Sequence, residues 1–126
     1  MYKLVAIDLD GTLLNSSGEV SNNTKNAIKQ AIDNGIEVVL ASGRTIESFE
    51  NFALELGAKN YLISGNGSAV YDIQNKEIIY SNFLSKEQVL KIAKVFSWAG
   101  VGESWLPFLG FCGILEGEIL EWRNLR

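Results

Sequence analysis

Two carboxylates, Asp8 and Asp10, stand one residue apart where the apolar run Leu4-Val5-Ala6-Ile7 gives way to Gly11-Thr12. On an extended chain, side chains two positions apart lean to the same side. Ionised groups are costly to bury, and two neighbouring carboxylates repel unless a cation stands between them. A hard cation such as Mg²⁺ is suited to that place, because it pairs one or two carboxylates with a substrate phosphate. One carboxylate could attack phosphorus, forming an aspartyl-phosphate. The other could carry the leaving-group proton. Gly11 and Thr12 could present main-chain N–H groups to phosphate oxygens, with glycine allowing close approach. Ser42 offers a neutral hydroxyl to a phosphoryl oxygen, Arg44 could hold a phosphate or carboxylate by two bonds, and the Asn66 amide could touch substrate. The chain has no histidine. This excludes a Ser-His-Asp or Cys-His site and a His-ligated zinc, and leaves acid–base work to carboxylates, lysine, tyrosine or water.

These residues need elements to bring them together. Leu4 to Leu9 reads as a short parallel strand covered on both faces, because its apolarity is continuous rather than alternating. Ser21 is placed to N-cap a helix over 22–34, with Ala27, Ile28, Ala31 and Ile32 on one face and Gly35 just past its end. Ile36 to Ala41 is a second strand. A second helix carries Ile46, Phe49, Ala53 and Leu56 on one face and stops at Gly57. Tyr61 to Ser64 is a third strand. The order β-α-β-α-β with short links predicts a parallel sheet with right-handed crossovers. Such sheets bind ligands beyond the carboxyl ends of their strands. Here those ends are Asp8 to Thr12, Ser42-Gly43-Arg44 and Ser64-Gly65-Asn66-Gly67.

Ala69 to Asp72 and Glu77 to Ser81 read as a hairpin around Gln74-Asn75-Lys76. Ser85-Lys86-Glu87-Gln88 is a capping-box pattern opening a helix that buries Val89, Ile92, Ala93 and Phe96. The character changes from Trp98 onward, where all three tryptophans, the single proline and the single cysteine lie. Within this glycine-punctuated tail only Gly117 to Leu125 resembles a helix. Trp98, Trp105 and Trp122 read as packing aromatics, Cys112 as a small buried apolar residue, and Glu103, Glu116, Glu118 and Glu121 as a solvated face.

The 126 residues, 47% apolar and 21% charged with a net charge of −4, fit one soluble domain with a real core. No basic stripe offers itself to nucleic acid, and no lysine or arginine run suits an anionic membrane surface. No apolar run reaches membrane-spanning length, and Asp8 comes too early for a signal peptide. One cysteine cannot form an intrachain disulfide, which suits a reducing cytoplasm.

The motif Asp8-Leu9-Asp10-Gly11-Thr12-Leu13-Leu14 resembles the first motif of the haloacid dehalogenase-like hydrolases, and in particular their Cof-type branch, which includes sugar phosphatases. Leu40-Ala41-Ser42-Gly43-Arg44 resembles the second motif of that branch, and Ser64-Gly65-Asn66-Gly67-Ser68-Ala69 its asparagine-glycine segment. Ala69 to about Phe96 resembles the first part of its inserted α/β cap. The resemblance implies a Rossmann-like α/β core over 1–68, the beginning of a cap over 69–96, and an atypical tail over 97–126. It implies Asp8 as nucleophile and Asp10 as general acid/base. It also implies Mg²⁺ on the Asp8 carboxylate and the Asp10 main-chain carbonyl. Ser42 would bind the phosphoryl group, with Gly43, Arg44 and Asn66 as lesser substrate-side contacts. The implied substrate is a small phosphorylated metabolite such as a sugar phosphate.

The sequence also departs from the family. Nothing after Phe96 resembles the lysine motif or the late Gly-Asp-x-x-x-Asp/Asn-Asp segment that complete such sites. Lys86, Lys91 and Lys94 fall on the expected cap helix, and the tail has neither lysine nor aspartate. The expectation is the first half of a larger hydrolase joined to an unrelated tail, weak or inactive by itself. The alternatives are a non-catalytic phosphate- or Mg²⁺-binding remnant, a subunit that pairs with a second copy through open sheet edges and the tail, and a receiver-like phosphoacceptor.

Overall fold

The computed structural model describes residues 2–98. Five strands and three main helices follow one another as β1 (Leu4–Asp8), α1 (Asn22–Asp33), β2 (Glu37–Ala41), α2 (Ile46–Leu56), β3 (Tyr61–Ser64), β4 (Ala69–Asp72), β5 (Glu77–Ser81) and α3 (Lys86–Trp98). The expected helix at Gly117 to Leu125, with Trp105, Trp122, Cys112 and the tail glutamates, lies outside the described residues.

The local signals act as their chemistry requires. The Ser21 hydroxyl accepts from the Thr24 N–H at 3.2 Å and caps α1. Gly57 ends α2 in the left-handed conformation, which glycine adopts without a steric cost. The capping box at α3 is reciprocal. The Gln88 N–H donates to the Ser85 hydroxyl at 3.3 Å, and the Ser85 N–H donates to the Gln88 side-chain oxygen at 2.8 Å.

The strands form one sheet in the order β1-β2-β3-β4-β5. β1, β2 and β3 run parallel, with Leu4 opposite Glu37, Asp8 opposite Ala41, and Leu40 opposite Leu62. β4 and β5 add antiparallel, with Ser64 opposite Ala69 and Asp72 opposite Glu77. The hairpin expected to open a cap is thus hydrogen-bonded into the same sheet as the parallel strands. The architecture is the α/β Rossmann-like one expected, an incomplete core with a mixed sheet.

The main core lies between one face of the sheet and helices α1 and α2. Val38 and Leu40 of β2 and Leu62 of β3 pack with Ile28 of α1 and with Phe49, Ala53 and Leu56 of α2. Ala31, Ile32, Ile46 and Phe52 close its margins. Ala27 was expected on this face but is exposed, because α1 turns Ile28 to the centre and leaves its neighbour at the rim. In α3, Val89 is fully buried and Ile92 half-buried.

β1 departs most from expectation. It is an edge strand, and no strand among the described residues pairs with its outer side. Leu4 is 54% exposed and Val5 39%, although they point to opposite faces. Its continuous apolarity is that of a strand covered on both faces, while among the described residues Leu4, Val5 and Ala6 remain exposed.

Candidate active site

Asp8 ends β1, and Leu9 to Leu13 form a wide turn that the Leu14 N–H closes onto the Leu9 carbonyl at 3.0 Å. Gly11 makes this turn possible with φ of +77°. Leu9 and Leu13 are buried in the core, while Asp8, Asp10, Gly11 and Thr12 face outward. The leucines anchor the turn and the polar residues between them form the rim. The strand therefore stops one residue earlier than the apolar pattern suggested, because Leu9 leaves the pleat to enter the core.

The Thr12 hydroxyl donates to the Asp8 carboxylate at 3.2 Å. Sequence reasoning gave Thr12 only a main-chain role. The spacing of four residues across a glycine turn is the signal that could have revealed the side-chain one.

The β2 rim is built against the β3 rim. Ser42 is 4% exposed, and its N–H donates to the Ile63 carbonyl at 2.9 Å. Its hydroxyl accepts from the Arg44 N–H at 3.2 Å. The Asn66 N–H donates to the Ser42 carbonyl at 3.1 Å, and the Gly65 N–H to the Arg44 carbonyl at 3.2 Å. Asn66 itself holds φ at +55°, a conformation asparagine tolerates better than most residues. Gly65, which sequence reasoning did not single out, ties this turn to Arg44. Its place in the Gly-Asn-Gly triplet was the available signal.

Arg44 reaches back across the rim to β1. Its Nε donates to one Asp10 carboxylate oxygen at 2.9 Å and its Nη2 to the other at 2.6 Å. This is the two-bond arrangement that guanidinium and carboxylate geometry favours. The structure thus brings Asp8, Asp10, Gly11 and Thr12 onto one turn and joins them through Arg44 to Ser42, Gly43 and Asn66. The described partner of Arg44 is Asp10.

Among the described residues, no group of three or more His, Cys, Asp or Glu side chains is placed to hold a metal ion. The oxygens at the turn, the Asp8 carboxylate and the Asp10 main-chain carbonyl, are of the hard type that Mg²⁺ takes. Mg²⁺ commonly fills its remaining positions with water and substrate oxygens, so this donor set fits it in part. No helix among the described residues is long and apolar enough to cross a membrane.

The chain is similar to phosphatase YwpJ of Bacillus subtilis, with 46% identity over 74 residues, 59% of this chain and 26% of that protein. It is also similar to the 5-amino-6-(5-phospho-D-ribitylamino)uracil phosphatase YcsE of the same organism, with 43% identity over 70 residues, 56% of this chain and 28% of that protein. A solved haloacid dehalogenase-like hydrolase from Bacteroides thetaiotaomicron superposes with a TM-score of 0.68 and 33% identity, over 79% of this chain and 39% of its own. The chain therefore spans well under half the length of these relatives. The family profile of the haloacid dehalogenase-like hydrolases matches residues 5–106, a span that holds all three rim segments. By its sequence, its sheet and its rim, the chain belongs to the haloacid dehalogenase-like hydrolases, in their Cof-type branch.

Proposed function

We propose that this chain carries the nucleophile-bearing part of a phosphomonoester phosphatase site. The observation that supports this best is the outward turn at the end of β1, where Asp8 and Asp10 stand beside the Ser42 and Asn66 rims. In this reading the Asp8 carboxylate attacks phosphorus and the bond from phosphorus to the leaving oxygen breaks. Asp10 gives that oxygen its proton. Asp10 then takes a proton from water as the water oxygen attacks phosphorus, which releases phosphate and restores Asp8. Ser42 and the N–H groups of Gly11 and Thr12 serve the phosphoryl oxygens, with Gly43 and Asn66 on the substrate side. The Asp8 carboxylate and the Asp10 carbonyl would hold Mg²⁺, which when bound supplies charge neutralisation for the phosphoryl group. The substrate class is a small phosphorylated metabolite, and the lone cysteine fits a cytoplasmic setting.

A second reading starts from the outer side of β1, with which no strand among the described residues pairs. In it the chain binds phosphate or Mg²⁺ without turnover, or pairs with a second copy through the open edge of β1. Hydrolysis of p-nitrophenyl phosphate with Mg²⁺, by the wild type and by Asp8→Asn, separates the two. Turnover lost in the variant supports the phosphatase reading, whereas a folded wild type without turnover supports the second.

A further inference from the structure

We propose that Arg44 is a positioning residue for Asp10 rather than a substrate ligand, an assignment that rests on the phosphatase reading of the site. Both oxygens of Asp10 are taken by Arg44, one by Nε at 2.9 Å and one by Nη2 at 2.6 Å. An exposed carboxylate on a glycine turn would otherwise sample several rotamers. The fork fixes it in one plane, because the guanidinium is rigid and matches both oxygens at once.

The fork is itself fixed from behind. The Arg44 N–H is bound to the Ser42 hydroxyl, and its carbonyl accepts from the Gly65 N–H. Gly43, one residue earlier, lets the Asn66 side chain lie close against it, 2.9 Å from where a Cβ would stand. Residues 42–44 are thereby held to the turn after β3, and the Arg44 side chain spans from there to the turn after β1. The position of Asp10 is set by two strand ends other than its own.

This assigns Arg44 a definite part in the reaction. Each Asp10 oxygen keeps a second lone pair while Arg44 holds the first, so a proton can be carried on the side turned away from the guanidinium. Arg44→Lys keeps the charge but replaces the planar fork with a point donor. It should lower kcat about tenfold and leave KM within about twofold, because ground-state binding is not what is lost. A substrate ligand would instead raise KM.

The test that needs no turnover is the side-chain Nε–H signal of Arg44 in the ¹⁵N-labelled 126-residue chain, identified by its loss in Arg44→Lys. The expected result is that Asp10→Asn moves this signal to the position of a free arginine. Inorganic phosphate with Mg²⁺ should shift the main-chain signals of Gly11, Thr12 and Ser42 and leave the Arg44 Nε–H in place. An Nε–H signal indifferent to Asp10→Asn, or one displaced by phosphate, would overturn the assignment. If phosphate shifts none of the rim signals, the phosphatase reading fails, while the response to Asp10→Asn still decides whether Arg44 holds Asp10. Dispersed main-chain spectra of both variants establish that each is folded.

Discussion

A Cβ placed on Gly43 would stand 2.9 Å from Oδ1 of Asn66, closer than real side chains approach. The rims after β2 and β3 are therefore in contact through a missing side chain. Gly43→Ala should push the Asn66 amide aside. Because Asn66 is exposed and can move, the stability cost should stay near the low end of overpacking, about 1 kcal/mol. Thermal melting measures that cost, and the chemical shifts of the Asn66 side-chain amide report the displacement. A variant with wild-type shifts at Asn66 would contradict the contact.

Leu9 is fully buried beside two exposed aspartates. Leu9→Ala removes the anchor of the turn and leaves a cavity in the core, with an expected loss of about 2–5 kcal/mol. Urea unfolding followed by tryptophan fluorescence or circular dichroism reads it. A loss below about 1 kcal/mol would mean that the turn is held by other contacts.

Gly11 differs from Gly43 in kind. Nothing lies within 4 Å of a Cβ placed on it, but its φ is +77°. Gly11→Ala should cost about 1–2 kcal/mol from backbone strain alone. Gly11→Asn should cost less, since asparagine visits this region more readily. Equal losses for the two variants in chemical denaturation would argue against strain as the cause.

Asp72 turns the hairpin between β4 and β5. The Asp72 carboxyl is held below the ordinary value of 3.8, first because the Asn75 N–H donates to it and then through the Asn75 side chain; desolvation opposes these, and the Gln74 N–H adds to them. The folded chain thus binds this proton more weakly than the unfolded chain. The contribution is fully present above pH 3.8 and is lost as pH falls through the lower folded value. Asp72→Asn should flatten the fall in stability on acidification through and below that pH. Urea midpoints at pH 6 and at stepwise lower pH test this, and a wild-type slope in the variant would assign the acid sensitivity to other groups.

Ser85→Ala removes one half of the capping box of α3. The expected loss is about 1 kcal/mol. Hydrogen exchange at the first turn of α3 should quicken more than exchange in α1. Unchanged protection there would show that Val89 packing, not the cap, holds this end.

Local signals made most of the elements legible. Ser21, Gly57 and the Ser85–Gln88 pair mark helix ends by chemistry that acts within four residues, and the structure uses them as marked. The three rims and their convergence followed from strand order alone, because parallel crossovers allow few arrangements. Long-range relationships were not legible. Arg44 and Asp10 are 34 positions apart, and nothing in either segment says that the cation answers the carboxylate rather than a phosphate. The exposure of β1 escaped for a similar reason, since an apolar run states what would suit its faces and not what lies against them. The hairpin read as the opening of a cap gave no local hint that it continues the main sheet.

No strand among the described residues pairs with the outer side of β1, and that side ends at the site. The Glu37 N–H donates to the Lys3 carbonyl at 2.8 Å, so alternate residues from Lys3 turn their main-chain groups toward β2. Leu4, Ala6 and Asp8 then turn theirs outward. A strand that paired along this edge to its carboxyl end would take hydrogen bonds from the main chain of Asp8. The edge at which another strand could add and the rim that carries Asp8 are thus two ends of one five-residue strand.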